Sequence, residues 1–269
     1  MRKVLAEFFK SENIEYYAVL DFAHTRLINS ALMERESFVP RSVILFLLPY
    51  YAGECENLSR YAAARDYHTA IRGVTERLSA RLAEVFPSSS SKGYGDHSPI
   101  DERDAALSAG LGILGDSGML INEKYGTYIF IADLITDISP CELGFDGRAL
   151  PHGRCISCGA CKRACPTGIL RGESSDCLSA ITQRKGDLEE REIDLMRKYN
   201  TVWGCDLCQS TCPYNRDPKI TPIQLFSEDR ITCLTSERLA EMSKAEFLER
   251  AFAWRGRKTV ERNLKLLEY

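Results

Sequence analysis

Three absences limit what this chain of 269 residues can be. Its most apolar run, "VILFLLPYY" at residues 43–51, is far shorter than the roughly 20 residues that a membrane-spanning helix needs. Its N-terminal stretch, "MRKVLAEFFKSENIEYY", carries charges throughout and lacks the apolar core of a signal peptide. Its net charge of -3 provides no overall positive field for nucleic acid. These absences predict a cytoplasmic protein with no membrane partner.

Cysteine, by contrast, is abundant. The chain has 11 cysteines, and most of them lie between residues 155 and 212. Without an export signal the compartment is expected to be reducing, so clustered cysteines favour metal binding over disulfides. Cys55, Cys141 and Cys233 stand apart from the others, and we expect them to be buried or inert thiols.

Helices and strands are both predicted in the first half of the chain. Residues 41–51 and 126–136 are continuous apolar runs with β-branched residues, which is typical of buried strands. Residues 56–86 are predicted to form one long helix with an apolar stripe. A second helix is predicted to begin at Ser98, with its hydroxyl as the cap and a proline at the first helical position.

We therefore expect a fold of the α+β or α/β class in three parts. Residues 1–150 are predicted to form an α/β domain, residues 151–216 an inserted cysteine module, and residues 217–269 a helical tail. The composition, 44% hydrophobic and 27% charged, is that of an ordinary globular protein large enough for one core and a small module.

The first cysteine motif is Cys155-x2-Cys158-x2-Cys161-x3-Cys165, followed by a proline. This is the spacing of bacterial ferredoxins, in which three thiolates bind one four-iron cluster and the fourth cysteine binds the other cluster. The alternative is structural zinc, which prefers two separated C-x2-C pairs. The spacing favours [4Fe-4S] clusters.

The second motif, "CDLCQSTCP", repeats the end of the first motif but lacks its first cysteine. Cys177 lies between the two motifs, so we predict that it replaces the missing ligand; the alternative is a buried free thiol. The crossed ferredoxin arrangement then predicts two ligand sets. One cluster is bound by Cys155, Cys158, Cys161 and Cys212, and the other by Cys165, Cys177, Cys205 and Cys208.

Several longer stretches resemble the epoxyqueuosine reductase family, which uses cobalamin and two [4Fe-4S] clusters. They are "RYAAARDYHTAIRGVTERL", "DHSPIDERDAALSAGLGILG", the cysteine module, and the tail "EFLERAFAWRGRKTVERNLKLLEY". Asp116 and Ala64 depart from the family pattern, which usually has Lys or Asn and Gly there. The resemblance implies a corrinoid-binding α/β domain with an inserted two-cluster ferredoxin-like module. It also implies a short form, because family members continue into a helical-repeat domain beyond Tyr269.

The resemblance assigns roles to several residues of the first domain. It implies that Asp96 is the catalytic acid that protonates the leaving oxygen; the alternative is a turn or helix-capping aspartate. It implies cofactor contacts for Asp66, Tyr67 and His68, although His68 alone would be read as a core histidine. We do not expect His68 to coordinate cobalt.

Arg103 and a glycine-rich loop complete the implied cofactor pocket. Arg103 is expected to hold the cofactor, a substrate or a phosphate; the alternative is an exposed arginine paired with Asp101 or Glu102. The loop is expected to let the backbone approach the corrin ring closely, through Gly110, Gly112 and Gly115. As a dinucleotide fingerprint this loop is a weak signal, because it follows a helix and not a strand.

The implied activity is the reduction of the epoxide of epoxyqueuosine to the alkene of queuosine in tRNA, with an external flavodoxin- or ferredoxin-type electron donor. Two alternatives stay open: a [4Fe-4S] electron-transfer protein without a corrinoid, and a corrinoid reductase of a small molecule, similar to reductive dehalogenases. We expect weaker tRNA binding than in full-length relatives. The tail has one basic stretch, which we expect to be a solvated helix face: Arg250, Arg255, Arg257, Lys258 and Arg262.

Overall fold

The computed structural model describes residues 1–268, which pack as two compact units. The first unit comprises Met1–Pro49 and His68–Ser157, and the second comprises Tyr50–Tyr67 and the chain from Cys158 onward. Most of the cysteine module and the whole described tail thus share one unit, together with residues 50–67. The three-part division at residues 150 and 216 stays a prediction.

The first unit is built on a four-stranded sheet in which every neighbouring pair is antiparallel, in the order β1–β2–β6–β3. Its strands are β1 (Tyr17–Asp21), β2 (Ser42–Pro49), β3 (Ser91–Tyr94) and β6 (Ile129–Thr136), and a separate hairpin joins β4 (Ile113–Leu114) and β5 (Leu120–Ile121). Helices combined with an antiparallel sheet give the α+β arrangement. The expectation of a mixed helix and strand fold is confirmed, and the sheet is not the parallel sheet of an α/β fold.

The two predicted buried strands form the centre of this sheet. β2 is buried along its whole length, and β6 pairs with it from Ser42 opposite Thr136 to Pro49 opposite Ile129. The helices of this unit are α1 (Arg2–Ser11), α2 (Ser30–Met33), α3 (Tyr67–Val85, which enters the unit at His68), α4 (Glu102–Ser108) and α5 (Pro140–Leu143). α4 packs against β2 and β6, so its first residues lie beside the central strands.

The long helix is shorter than predicted, because α3 begins at Tyr67 and not near residue 56. The residues before it bond to other segments of the second unit. The N–H of Ser59 donates to the carbonyl of Trp203 at 2.7 Å, and the N–H of Asp66 donates to the carbonyl of Glu249 at 2.8 Å. Peptide groups held by such distant partners are not available for the helical bond to the fourth preceding carbonyl.

The second helix also begins later than predicted, at Glu102 and not at Ser98. Its cap is Asp101, whose carboxylate accepts the N–H of Asp104 at 2.9 Å. The residues before the cap are extended, and the N–H of Asp101 donates to the carbonyl of Arg26 at 2.9 Å. Aspartate and serine are about equally good helix caps. The strand-like pairing of the residues before Asp101 keeps Ser98 outside the helix, so Asp101 is the cap.

The second unit is mainly helical, as predicted for the tail. Its helices are α6 (Ala160–Ala164), α7 (Leu178–Gln183), α8 (Glu190–Lys198), α9 (Leu207–Ser210), α10 (Gln224–Ser227), α11 (Ser236–Glu241), α12 (Lys244–Leu248) and α13 (Arg257–Leu267). One of its hydrophobic clusters contains Trp203 and Phe252, both fully buried, together with residues of α11, α12 and α13. None of the helices in residues 1–268 is long and apolar enough to cross a membrane.

Candidate functional site

Four cysteines of the second unit lie within electrostatic range of one another, and we call them the thiol set: Cys165, Cys177, Cys205 and Cys208. Cys165 ends α6, Cys177 is the cap of α7, and the other two lie at the start of α9. Burial raises the pKa of Cys205 to about 11; the N–H of Leu207 opposes this rise, and Cys177 and Cys165 add to it. Burial raises the pKa of Cys208 to about 12, and the other three thiols add to that rise.

Cys165 differs from the other members of the thiol set. Burial raises the pKa of its thiol, but hydrogen bonds more than offset this effect and the pKa lies below its usual value. The donors are the N–H of Leu170, the hydroxyl of Thr167, and the N–H groups of Gly168 and Thr167. Hydrogen bonds to sulfur stabilise the thiolate, which is the form that binds metal.

The thiol set is the candidate ligand group for a cluster of several metal atoms. Buried thiolates repel one another, and bound cations remove that cost because they keep each thiol deprotonated. Within residues 1–268, no three His, Cys, Asp or Glu side chains lie in the arrangement of a single metal ion. The structure therefore brings together the second predicted ligand set, whose role as a ligand set stays a prediction.

The first predicted ligand set includes cysteines from both units. Cys155 belongs to the first unit, where its sulfur accepts the N–H of Asp116 at 3.3 Å. The Asp116 carboxylate in turn accepts the hydroxyl of Ser157 at 3.2 Å. In the second unit Cys158 is exposed, and Cys161 and Cys212 are half-buried. The assignment of these four cysteines to one cluster rests on their spacing and stays a prediction.

A charged network in the second unit holds the loop between Cys205 and Cys208. The Asp206 carboxylate accepts the N–H of Arg60 at 2.7 Å and its guanidinium at 3.0 Å, and it also accepts the hydroxyl of Ser59. The Arg60 and Asp206 side chains are only 11% and 8% exposed. The only sequence signal for this network is an aspartate between two cysteines, and it was not recognised as part of a site.

Asp96 in the first unit lies on an exposed turn with an unusual backbone. Its φ is +66°, in the left-handed region that residues other than glycine rarely adopt. Its Oδ2 lies 3.9 Å from Nε2 of His68, and the two side chains are 58% and 40% exposed. The structure thus brings the predicted acid and the predicted pocket histidine together. Such strain is frequent at functional sites, where the surroundings hold it in place.

Two further acids lie near Asp96, and we call the three residues the carboxyl set: Asp96, Glu102 and Asp133. Glu102 Oε1 accepts the N–H of Asp96 at 3.1 Å. Burial raises the pKa of Glu102 to about 9, and the charges of Asp133 and Asp96 add to the rise. Burial also raises the pKa of Asp133, which is fully buried in the middle of β6.

Sequence reasoning missed Glu102 and Asp133 as members of a site. The signal for Asp133 was present, because it is an acid in the middle of the otherwise apolar strand "IFIADLIT". An ionisable group in a buried strand is expensive unless it is paired or neutral, and it therefore points to a special role. Glu102 gave no signal of its own beside the acids that flank it.

The contacts exclude helix capping for Asp96 and pairing with Asp101 for Arg103, whereas the turn position of Asp96 agrees with its other structural alternative. Asp101 caps α4, so capping is not the role of Asp96. Arg103 is exposed, and its Nη1 donates to the carbonyl of Gly118 at 2.6 Å, whereas Asp101 pairs with Arg26. Its predicted role in holding a ligand stays a prediction.

The glycine-rich loop is required by the chain's own packing. Gly110 follows α4 with a φ of +76°, and a Cβ on Gly112 would lie 2.5 Å from the carbonyl oxygen of Ile121 in β5. These positions therefore have a structural reason to be glycine. The contact of Gly110, Gly112 and Gly115 with a corrin ring stays a prediction.

The matched run of Asp66, Tyr67 and His68 spans the boundary between the units. Asp66 and Tyr67 belong to the second unit, where the ring of Tyr67 packs edge-to-face with Tyr61 at 6.4 Å. His68 belongs to the first unit. Their predicted shared role as cofactor contacts stays a prediction.

The basic stretch of the tail is not the solvated face that we expected. Arg250 is 1% exposed and pairs with Asp229 at 2.7 Å. Arg257 donates to the carbonyl of Met242 at 2.7 Å, and Arg262 donates to backbone carbonyls of residues 184 and 186. These three guanidinium groups hold the second unit together, because backbone carbonyls and a carboxylate occupy them.

The three isolated cysteines are less buried than predicted. Cys55 and Cys233 are half-buried, and Cys141 is exposed. Burial raises the pKa of the Cys55 and Cys233 thiols, which makes them poor nucleophiles.

Residues 154–215 match the family model described as a 4Fe-4S double cluster binding domain. The match covers the two cysteine motifs and Cys177. This segment is therefore a double-cluster domain.

Curated relatives named epoxyqueuosine reductase match most of the chain. One from Gloeobacter violaceus is 30% identical over 222 residues, which cover 77% of this chain and 68% of the relative. One from Listeria monocytogenes is 32% identical over 214 residues, which cover 74% of this chain and 53% of the relative. The chain spans about half the length of the first relatives that it matches.

The fold is similar to that of solved structures of proteins named epoxyqueuosine reductase. A crystal structure of epoxyqueuosine reductase with an epoxyqueuosine-modified tRNA stem loop matches with a TM-score of 0.75 and 22% identity. The match covers 99% of this chain and 80% of that one. At this identity the likeness concerns the fold.

Proposed function

The chain belongs to the epoxyqueuosine reductase family, and from this premise we propose that it is an oxidoreductase that converts the epoxide of epoxyqueuosine to the alkene of queuosine. The observation that carries the proposal is the thiol set, which gathers cysteines from three segments of the double-cluster domain. Such a domain is useful to an enzyme whose chemistry needs single electrons at low potential.

The thiol set would hold one [4Fe-4S] cluster, and Cys155, Cys158, Cys161 and Cys212 would hold the other. When bound, the clusters relay single electrons, and cobalamin supplies the strongly reducing centre beside the substrate. The residues proposed to contact cobalamin are Asp66, Tyr67, His68, Arg103, Gly110, Gly112 and Gly115. His68 and Arg103 are accessible at the surface of the first unit, as residues that contact a ligand must be.

Asp96 is the proposed catalytic acid. Conversion of an epoxide to an alkene breaks both C–O bonds, consumes two electrons and two protons, and releases the oxygen as water. The electrons would come from an external flavodoxin- or ferredoxin-type donor. Asp96 protonates the leaving oxygen through its carboxyl group, and His68, 3.9 Å away, is placed to return a proton to it.

The proposed substrate carrier is tRNA, which a relative of the same fold binds as a stem loop. Arg250, Arg257 and Arg262 are engaged within the second unit, so the tail's basic stretch offers few cations for phosphate groups. Phosphate contacts supply much of the affinity for nucleic acid. We therefore expect weak, salt-sensitive binding of an anticodon stem loop by this chain.

The test is anaerobic reconstitution of the chain with iron, sulfide and cobalamin, followed by incubation with an epoxyqueuosine-containing stem loop and a chemical reductant. We expect a product that has lost one oxygen atom by mass spectrometry, and a change in the cobalamin absorption spectrum on binding. Full iron and bound cobalamin with no product would exclude this substrate. No cobalamin binding would favour an electron-transfer protein.

A further inference from the structure

Asp133 is an unusual residue for the centre of a sheet. It lies in β6 between Leu45 of β2 and Tyr94 of β3, and its side chain is fully buried. Among residues 1–268 no donor lies in hydrogen-bond geometry with either carboxylate oxygen, although the hydroxyl of Ser98 is close enough to lower its pKa. A buried carboxyl group without a partner is costly in its charged form, so a proton is expected to stay on it or on a neighbouring group.

Glu102 lies between this buried acid and the surface. It is the first residue of α4, which packs against β6, and the charge of Asp133 acts on its carboxyl group more than any other charge does. Its Oε1 accepts the backbone N–H of Asp96 at 3.1 Å. The Glu102 carboxyl group therefore lies within electrostatic range of Asp133 and also accepts the N–H of the exposed turn.

The turn at Asp96 needs such support. Its φ of +66° is a conformation that an aspartate adopts only when neighbours favour it. The bond to Glu102 restrains the peptide group on which the conformation depends. The Asp96 side chain is thereby held 3.9 Å from His68.

We infer that Glu102 is a positioning residue for Asp96. The Asp133 carboxyl group behind Glu102 keeps a proton on the Glu102–Asp133 pair, so that Glu102 holds the turn without adding a negative charge beside Asp96. This inference rests on the proposed role of Asp96 as the acid. A neutral Glu102 still accepts the Asp96 N–H through its carbonyl oxygen, and it does not repel an ionised Asp96.

Two substitutions of Glu102 separate positioning from folding. Glu102→Ala removes the acceptor, whereas Glu102→Gln keeps a carbonyl oxygen at the same reach and cannot ionise. Glu7→Ala, on the exposed side of α1, is the matched control. Iron content of each reconstituted variant shows whether the chain still folds and binds its clusters.

The first measurement is the hydrogen exchange rate of the Asp96 amide by residue-resolved mass spectrometry, which does not depend on activity. We expect about tenfold faster exchange in Glu102→Ala, the size of one lost hydrogen bond. Glu102→Gln and the control should exchange within about twofold of the unaltered chain. Unchanged exchange in Glu102→Ala, or equally fast exchange in Glu102→Gln, would overturn the inference.

The second measurement is turnover. Misplacement of the acid should lower kcat of Glu102→Ala on the order of 10–100-fold with little change in KM, and Glu102→Gln should restore most of it. Equal losses in both variants would show that ionisation of Glu102, and not its acceptor oxygen, is needed, and this would contradict the inference. If the unaltered chain does not reduce epoxyqueuosine, the proposed function fails and the exchange rates alone decide on the positioning role.

Discussion

The thiol set and the carboxyl set each contain groups whose charge is opposed by burial, namely Cys205 and Cys208 in the first and Glu102 and Asp133 in the second, yet they differ in what relieves that cost. In the thiol set, Cys165 receives several hydrogen bonds and its pKa is lowered, while Cys205 and Cys208 have raised pKa values. Thiols that bind a metal ion lose their protons, because the cation stabilises the thiolate. In the carboxyl set, the pKa of Glu102 and that of Asp133 are both raised, and no metal is needed to explain it.

A raised pKa thus has a different consequence in each set. A buried thiol favours a bound cation, because the cation stabilises the thiolate. A buried carboxyl pair instead keeps a proton at a higher pH than an exposed carboxyl group does. Under the proposed function, the first arrangement would serve electron transfer and the second would serve proton transfer. Four substitutions test whether the two sets are separate in this way, and they follow in order of expected effect.

The largest effect is expected from Cys177→Ala. Loss of one of four thiolates should remove the second cluster, so that iron falls from about eight to about four atoms per chain and turnover is abolished. Iron analysis and the reduced-state electron paramagnetic resonance spectrum provide the measurement. Cys233→Ala, another half-buried thiol, is the control and should keep all of the iron. Full iron in Cys177→Ala would remove this cysteine from the ligand set.

Asp96→Asn should lower kcat by about 100- to 10,000-fold, the range for loss of a general acid. Both clusters should remain, because the carboxyl set does not hold iron. Steady-state rates and iron content are the measurements, and Asp146→Asn, an exposed aspartate of the same unit, is the control. A rate near that of the unaltered chain would give Asp96 a purely structural role.

Asp133→Asn should change how stability depends on pH. The folded pKa of Asp133 is raised above its unfolded value by burial. The stability associated with this group is therefore fully present below the unfolded pKa and is lost as the pH rises through the folded pKa. The charge of Asp133 raises the pKa of Glu102 and that of Tyr94, so these two are the titratable groups near it, and the Ser98 hydroxyl lowers the pKa of Asp133.

The free energy of unfolding should thus decrease between pH 5 and pH 9 in the unaltered chain. This decrease should exceed that in Asp133→Asn by about 2–4 kcal/mol. Urea unfolding at several pH values measures it. Parallel pH profiles for the two proteins would show that Asp133 does not retain its proton. Iron content should be the same in both.

The smallest effect is expected from Ser98→Ala. The Ser98 hydroxyl lowers the pKa of Asp133, so its removal should raise that pKa and reduce stability at alkaline pH by about 0.5–1.5 kcal/mol. This change is opposite in sign to that of Asp133→Asn and is measured in the same urea series. An alkaline stability equal to that of the unaltered chain would mean that the hydroxyl does not act on the carboxylate.

The sequence was sufficient wherever a local pattern carries the chemistry. Cysteine spacing predicted a double-cluster domain, which the family model confirms for residues 154–215. Continuous apolar runs predicted the two central strands, and β2 and β6 lie within two or three residues of the expected bounds. These features depend on neighbours in the chain, where side-chain period and ligand spacing act directly.

The features that depend on distant partners could not be predicted from local sequence patterns. The long helix lost its first turns because residues 59 and 66 bond to Trp203 and Glu249. Asp101 became the cap of α4 because the preceding residues pair with residues 26–29. Glu102 and Asp133 are 31 residues apart in the chain, and they come close together because α4 packs on β6. A peptide group or a carboxyl group takes whichever partner the fold brings within reach, and no local pattern records that choice.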